Sequence, residues 1–215
     1  MRKHIGFIEL FIILSVIVLI VKGIAYRNSR NTDQMPVNTT KNVEAECNNG
    51  NSCDKRIGSE PKSAFSWACK GDFALDHGHD EEAIECYNKS IEINTKYGYA
   101  WYSKGNALYS LKRYEEAIKC YDKLLTLYPK YDDAWNNKGS TLYCLGKYEE
   151  AIKCYDKALE IDPKYIYPWF GKGEILQKQG KYEEAIKCYD KALKNYPSYA
   201  EAIESKKEAL KALRR

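Results

Sequence analysis

The residues that could do chemistry are histidines, cysteines and paired carboxylates, and none of them forms a catalytic motif. His77 and His79 flank Gly78, a spacing that can bring two imidazoles to one metal ion, but a third and a fourth ligand are not evident. Each glutamate pair begins a predicted helix, where the positive end of the helix dipole favours negative charge. The pairs are Glu81-Glu82, Glu115-Glu116, Glu149-Glu150 and Glu183-Glu184. We find no glycine-rich phosphate loop and no motif around a nucleophile, and therefore predict no enzymatic activity, no metal site and no cofactor.

Four of the eight cysteines recur every 34 residues, at Cys86, Cys120, Cys154 and Cys188. Equivalent positions on successive packed helices lie at least roughly 8–10 Å apart, whereas a disulfide needs Cα atoms within about 7 Å. We predict that these cysteines are small buried hydrophobic residues at a helix interface. Free thiols favour a reducing compartment, and hence a cytoplasmic location for this part of the chain. Cys47 and Cys53 could pair or stay free.

Composition permits a packed core and argues against a nucleic-acid partner. Of the 215 residues, 44% are hydrophobic and 30% charged, and the net charge is only +4. Binding of nucleic acid would require basic side chains clustered on one face. There are 19 tyrosines against five phenylalanines. A tyrosine can bury its ring and leave its hydroxyl at a wet edge, which suits a thin structure with few enclosed positions.

A period of 34 residues organises the second part of the chain. Tryptophan, glycine and alanine each recur at that interval, and KYEEAIKCYDKAL occurs unchanged at 147–159 and 181–193. The recurring residues are Trp67, Trp101, Trp135 and Trp169; Gly71, Gly105, Gly139 and Gly173; and Ala83, Ala117, Ala151 and Ala185. Self-similarity at this period is typical of a repeat architecture, in which stacked units create a continuous core.

Each unit contains two stretches with helical spacing. Apolar residues of the second unit recur every three or four positions on both sides of a turn near Lys112. In the other units this turn contains Gly78, Gly146 or Gly180, as expected of a left-handed helix C-cap. Because lysine takes the glycine position in the second unit, we expect its turn to differ. Proline follows three of the second helices, and Thr95 replaces it in the first unit.

These residues resemble the tetratricopeptide repeat family, including its prokaryotic and archaeal members. The second unit matches the family pattern with Trp101, Lys104, Gly105, Leu108, Ala117, Tyr121 and Pro129, with Lys104 in place of leucine and Leu108 in place of tyrosine. The resemblance implies an all-α, right-handed superhelical solenoid. Its four helix pairs would span 64–97, 98–131, 132–165 and 166–199, within a repeat domain at 62–199. Residues 200–215 fit a polar-backed capping helix.

Residues 5–21 form an apolar run interrupted only by Glu9, near the lower limit of the ~17–25 residues that span a bilayer. We predict a transmembrane signal-anchor at residues 1–26, a single-pass membrane localisation and a flexible polar linker at 27–61. Three alternatives stay open. They are a secretory signal cleaved near Ala25, a leader processed after Gly6 that resembles type IV prepilins, and a buried helix. The numbers of basic residues before and after the apolar run are nearly equal, so the positive-inside rule does not decide the membrane topology.

The resemblance also implies where a partner binds, because the first helices of this family line a concave groove that takes extended or helical peptides. The matching residues form an aromatic and mildly acidic surface suited to an uncharged or basic peptide. The predicted peptide-binding residues are Tyr99, Tyr102, Asn106, Tyr109, Asp133, Asn136, Tyr143, Phe170 and Glu174. The basic residues with which chaperone-binding members clamp a C-terminal carboxylate are absent from these positions, so we predict no such clamp.

The predicted function is that of a membrane-anchored scaffold that mediates protein–protein interaction through its groove. The predicted partners are a protein or peptide ligand and, through residues 5–26, a membrane; no nucleic acid and no small-molecule substrate are expected. The alternative is an accessory component of a pilus or secretion assembly with a processed N-terminal leader.

Overall fold

A computed structural model describes residues 61–214, and this part of the chain is entirely helical and without strands. Its helices come in consecutive pairs, followed by one more helix. The bounds are α1 Ala64–Asp76, α2 Asp80–Ile93, α3 Gly98–Ser110, α4 Tyr114–Leu127, α5 Asp132–Cys144, α6 Tyr148–Ile161, α7 Ile166–Lys178, α8 Tyr182–Asn195 and α9 Ala200–Leu213. The all-α class and the paired arrangement predicted from the 34-residue period are confirmed.

The turns between paired helices share one conformation, and the expected difference in the second unit is wrong. Gly78, Gly146 and Gly180 have φ values of 75°, 73° and 75°, and Lys112 joins them with φ 60°. The Lys112 N–H donates to the Tyr109 carbonyl at 2.9 Å, and the corresponding Gly146 bond is also 2.9 Å. The helix packing imposes the left-handed turn even where the residue has a Cβ that disfavours it.

The units stack so that the first helices form an inner face. Each helix packs against its partner in the same unit and against the nearest helix of the next unit. In addition α1 contacts α3, α3 contacts α5, α5 contacts α7 and α7 contacts α9, more extensively than the second helices contact one another. Because the first helices approach each other more closely, their side is the inner side of the stack. We call the surface of α1, α3, α5 and α7 on this side the inner face.

The recurring glycines make room for tyrosine rings within each unit. A Cβ built on Gly105 would lie 2.7 Å from Cε1 of Tyr121, and one on Gly173 would lie 2.4 Å from Cε1 of Tyr189. The absence of a side chain at Gly105 therefore admits the aromatic ring of Tyr121. Tyr121 and Tyr189 are almost fully buried, so the glycine and the tyrosine together form the centre of each unit's core.

A ladder of lysine contacts joins neighbouring units at the repeat position of Lys104, the lysine that departs from the family pattern; within residues 61–214 Lys104 itself makes only the aromatic contact, with Nζ 5.9 Å from the Trp101 ring centroid. The ammonium of Lys138 on α5 lies 2.6 Å from the Asp122 carboxylate on α4, and Lys172 and Lys206 make the equivalent pairs with Asp156 and Asp190. The same lysine position also lies over the tryptophan one turn earlier, with Lys138 Nζ 5.6 Å from the Trp135 ring centroid. Lys138 and Lys172 therefore combine an ion pair between units with a cation–π contact within their own helix.

The cysteine prediction is confirmed by the structure. Cys86, Cys120, Cys154 and Cys188 are free and buried between helices. Burial raises the pKa of the Cys120 and Cys154 thiols to about 11, so these groups stay protonated and unreactive near neutral pH.

Helix α9 continues the stack against α7 and α8. Only Ala202 and Ala209 are buried on it, while the Leu213 side chain keeps 43% exposure. Lys206 pairs with Asp190 across the α8–α9 contact.

The predicted single-pass membrane localisation is corrected by the structure. No helix within residues 61–214 is long and apolar enough to cross a bilayer. The longest helices there have 14 residues, or roughly 21 Å at 1.5 Å per residue, against the roughly 30 Å of a hydrocarbon core. Residues 1–60 lie outside the described part of the chain. The anchor, the leader alternatives and all but the last residue of the predicted linker fall there.

Candidate functional site

The predicted peptide-binding residues all lie on the first helices of the second, third and fourth units. Helix α3 carries four of them, α5 carries three, and α7 carries Phe170 and Glu174. Their common position follows from the 34-residue period, which returns equivalent residues to the same face of successive first helices. The structure divides them into residues already bonded within the protein and residues that keep unused binding capacity.

On α3, three predicted residues belong to a polar network that ties units together. The Tyr99 hydroxyl donates to Asp72 Oδ2 at 2.8 Å, in the preceding unit. Asn106 Oδ1 accepts from the Asn137 amide at 2.9 Å and from a tyrosine hydroxyl of its own unit. The Asn137 amide also donates to the Tyr102 hydroxyl at 3.1 Å. These hydrogen bonds join α1 to α3 and α3 to α5, so the three residues stabilise the packing of the first helices.

On α5, Asp133 and Asn136 are buried rather than open to a ligand. Asp133 is 9% exposed and accepts a short hydrogen bond from the Tyr165 hydroxyl. Asn136 is 7% exposed, and its Nδ2 donates to Asn137 Oδ1 at 3.1 Å. The Oδ1 atom of Asn136 has no hydrogen-bond donor among the described residues. A buried acceptor without a donor is uncommon in native proteins. A water molecule or a donor from a ligand would satisfy it.

Partly exposed aromatic rings continue the inner face beyond this network. Tyr109, Tyr143 and Phe170 are each half-buried, and Tyr167 is 40% exposed. Tyr109 reaches across to α5, with its hydroxyl 3.6 Å from the Cys144 sulfur. Rings of this kind offer contact area at low cost in conformational entropy, which makes them suited to binding a partner.

Burial raises the pKa values of several titratable groups of the inner face. Burial raises the pKa of the Asp72 carboxyl, and the hydroxyls of Tyr87 and Tyr99 partly oppose the rise. Burial raises the pKa of the Glu174 carboxyl, and Lys178 opposes it. Burial also raises the pKa of the Tyr109 phenol to about 12. Residues 61–214 contain no grouping of histidine, cysteine and carboxylate side chains that could hold a metal ion, and His77 and His79 are exposed in the turn after α1.

Two inner-face residues, Asn137 and Lys178, were missed in the sequence. Asn137 connects α3 to α5, and Lys178 lies over the Tyr143 ring with Nζ 5.8 Å from its centroid. Neither residue type recurs 34 residues before or after its position, so the repeat pattern alone gave no signal for them.

Comparison with family models places the repeats. The tetratricopeptide repeat model matches residues 98–131, 132–165 and 166–199, and a second model of the same repeat matches 66–97. Together these matches cover more than half of the chain. The chain belongs to the tetratricopeptide repeat family. Tetratricopeptide repeat proteins mediate protein–protein interaction by binding protein or peptide ligands, and scaffolds of this kind are typically not enzymes.

Similar solved structures have the tetratricopeptide repeat fold as well. MamA is 19% identical, with a TM-score of 0.63 over 70% of this chain and 88% of that one. A MamA fragment from Desulfovibrio magneticus RS-1 is 20% identical, with a TM-score of 0.62 over 73% and 94%. YrrB, described as a TPR protein with an unusual peptide-binding site, is 20% identical, with a TM-score of 0.61 over 76% and 84%. At these identities the likeness concerns the fold alone. A comparison with curated protein sequences gives no significant match.

Proposed function

We propose that the inner face binds an extended peptide segment of a partner protein, and that the chain acts as an interaction scaffold. The observation that carries this proposal is the run of partly exposed aromatic side chains on consecutive first helices, Tyr102 and Tyr109 on α3, Tyr143 on α5, and Phe170 on α7. An extended segment crossing the first helices would meet one or two of these rings in each unit. Buried aromatic anchors of this type supply most of the binding energy in protein interfaces.

The charge of this surface favours an uncharged or basic segment. The predicted site residues include two carboxylates and no lysine or arginine; Asp133 is buried and bonded to Tyr165, which leaves Glu174 as the accessible one. The charge of Glu174 would attract a basic segment and repel an acidic one.

The test begins with peptides selected from a random displayed library against the purified full-length protein. Affinities of labelled peptides are then measured by fluorescence anisotropy for the wild type and for Tyr143→Ala. Loss of an aromatic anchor costs at least about 2 kcal/mol in typical interfaces, so we expect the affinity to fall by at least about tenfold. Tyr102→Ala is expected to weaken binding as well, in part because Tyr102 also accepts the Asn137 amide.

Ile93→Ala is the matched control, because Ile93 is an apolar side chain with 51% exposure at the end of α2, a second helix. It should change the affinity less than about twofold, as is usual for contacts outside an interface. Failure to select any peptide, or equal binding by Tyr143→Ala and the wild type, would overturn the proposed function.

A further inference from the structure

At one position of the repeat, the side chain hydrogen-bonds a tyrosine hydroxyl of its own unit in the first three units but not in the fourth. We call Asp72, Asn106, Ser140 and Glu174, which follow one another at 34-residue intervals on the first helices, the inner column. The first three members bond the buried tyrosine hydroxyl of their own unit. These pairs are Tyr87 with Asp72 at 2.7 Å, Tyr121 with Asn106 at 2.8 Å and Tyr155 with Ser140 at 3.3 Å. In the fourth unit the Tyr189 hydroxyl donates to Gln177 instead, at 2.8 Å.

Glu174 is consequently a carboxylate without the partner that its position normally has. Within residues 61–214 no hydrogen bond and no ion pair engages its side-chain oxygens, and the residue is half-buried. A partly desolvated carboxylate without a donor is costly, because it has lost water and received no hydrogen bond in return. Burial accordingly raises its pKa. Packing needs alone do not account for an acidic side chain here, since Gln177 already satisfies the tyrosine.

Aromatic side chains of α5, α7 and α8 lie near this carboxylate, whose charge acts on the phenols of Tyr143 and Tyr189. Phe170 precedes Glu174 by one helical turn on α7, and its ring lies 5.8 Å from that of Tyr189 on α8. Tyr143 approaches from α5. Burial raises the pKa of the Tyr143 phenol, and the charge of Glu174 adds to the rise, as expected of close neighbours.

The ammonium of Lys178 already lies over the Tyr143 ring. Lys178 follows Glu174 by one helical turn, and its ammonium lies 5.8 Å from the centroid of the Tyr143 ring. The Lys178 side chain is otherwise exposed, so it can swing into water without leaving a buried group unpaired. The contact shows that the face of the Tyr143 ring is accessible to a cation.

We infer that Glu174 and Tyr143 form a binding subsite for an arginine side chain of the bound partner. In the absence of the partner the Lys178 ammonium lies over the Tyr143 ring, and the arginine displaces it. The inference rests on the proposed function for the peptide that carries the arginine, and it identifies the chemistry of one subsite. A guanidinium is planar and can donate two hydrogen bonds to the carboxylate while its face covers a ring, which a lysine ammonium cannot do. Its weak hydration also suits a half-buried site.

The experiment uses a probe that needs no knowledge of the partner. Full-length, isotope-labelled protein is titrated with Nα-acetyl-arginine methylamide, and amide chemical shifts of α5 and α7 are followed by NMR. The neutral isostere Nα-acetyl-citrulline methylamide is titrated in parallel. We expect saturable shifts near Tyr143 and Glu174 with the arginine probe and at least about tenfold weaker binding of the citrulline probe, since a hydrogen bond to a charged group contributes about 1.5–3 kcal/mol.

Two variants make the test specific. Glu174→Gln should weaken the arginine probe by at least about tenfold, and Lys178→Met should strengthen it by removing the competing cation while keeping an apolar stem. Glu149→Gln is the matched control. Glu149 is an exposed glutamate at the start of α6, a second helix, and its substitution should leave the affinity unchanged. Unfolding curves of Glu174→Gln establish that the variant is folded.

Equal binding of the citrulline probe, an unchanged affinity in Glu174→Gln, or weaker binding in Lys178→Met would each overturn the inference. These outcomes are separable from failure of the proposed function. If selected peptides bind in a Tyr143-dependent way but Glu174→Gln has no effect, only the arginine subsite is refuted. If the arginine probe binds and no peptide does, the groove function is refuted and the subsite stands.

Discussion

Lys112 tests whether helix packing determines the left-handed conformation of the turn within each unit. It takes the left-handed position of its turn, with φ 60°, where the equivalent residues of the other turns are glycines. The left-handed conformation costs an L-residue roughly 1–2 kcal/mol relative to the right-handed one. Glycine avoids that cost but gives the unfolded chain extra freedom, worth about 0.5–1 kcal/mol. The net expectation is that Lys112→Gly stabilises the protein by about 0.5–1 kcal/mol.

The Lys112 side chain is exposed and makes no ion pair with any residue in 61–214, so little is lost with it. The assay is urea unfolding followed by circular dichroism, with stability taken from the midpoint at an unchanged slope. In a thermal scan the same gain corresponds to a rise of about 1–4 °C for a chain of this size.

Gly146→Lys is the mirror-image control. A Cβ at Gly146 meets no atom within 4 Å, so this substitution introduces backbone strain without a steric clash. It should destabilise the protein by about the amount that Lys112→Gly gains. The reasoning would be refuted by a neutral or destabilising Lys112→Gly, or by a Gly146→Lys variant as stable as the wild type.

Three further predictions follow from the packing and the charges. Gly139→Ala should destabilise by about 1–2 kcal/mol, although alanine usually stabilises a helix. The reason is that its Cβ would lie 2.7 Å from Tyr155 Cε1, and equal or higher stability in urea unfolding would contradict it. Asn88→Asp should complete the lysine ladder with Lys104, adding up to about 0.5 kcal/mol that high salt removes; a gain independent of salt would count against it. Burial raises the pKa of the Asp72 carboxyl in the folded state above 3.8, so the folded state binds the carboxyl proton more tightly than the unfolded state does. Stability should therefore fall relative to Asp72→Asn as the pH rises above 3.8, and parallel thermal-unfolding profiles of the two proteins would disprove it.

The lysine ladder and the inner column show how one sequence period can serve two purposes. Lys138, Lys172 and Lys206 repeat the same bond between units, which is a structural use of the period. The inner column repeats a bond within units until Glu174, where the bond is transferred to Gln177. A departure from a structural pattern on the inner face is where we expect specificity for a partner.

The fold followed from the sequence because its determinants are local and repeated. The 34-residue recurrence of Trp101, Gly105 and Ala117 predicted helix pairs, and the glycines predicted the left-handed turns. Helical spacing, charge at helix N-termini and cap residues act over a few residues, so they can be read in order along the chain. The position of the predicted site residues on the first helices followed from the same period.

Which of those residues remain available to a ligand was decided only by the tertiary structure. Tyr99, Asn106 and Asp133 resemble open groove residues in the sequence, but each is bonded to a side chain at least 15 positions away. Glu174 looks like another member of the same series, yet it alone among the inner column lacks the tyrosine bond of its unit. Such pairings depend on the distance and rotation between packed helices, which local periodicity does not specify. The left-handed Lys112 has the same cause, because the packing of the paired helices fixes the turn against the preference of its residue.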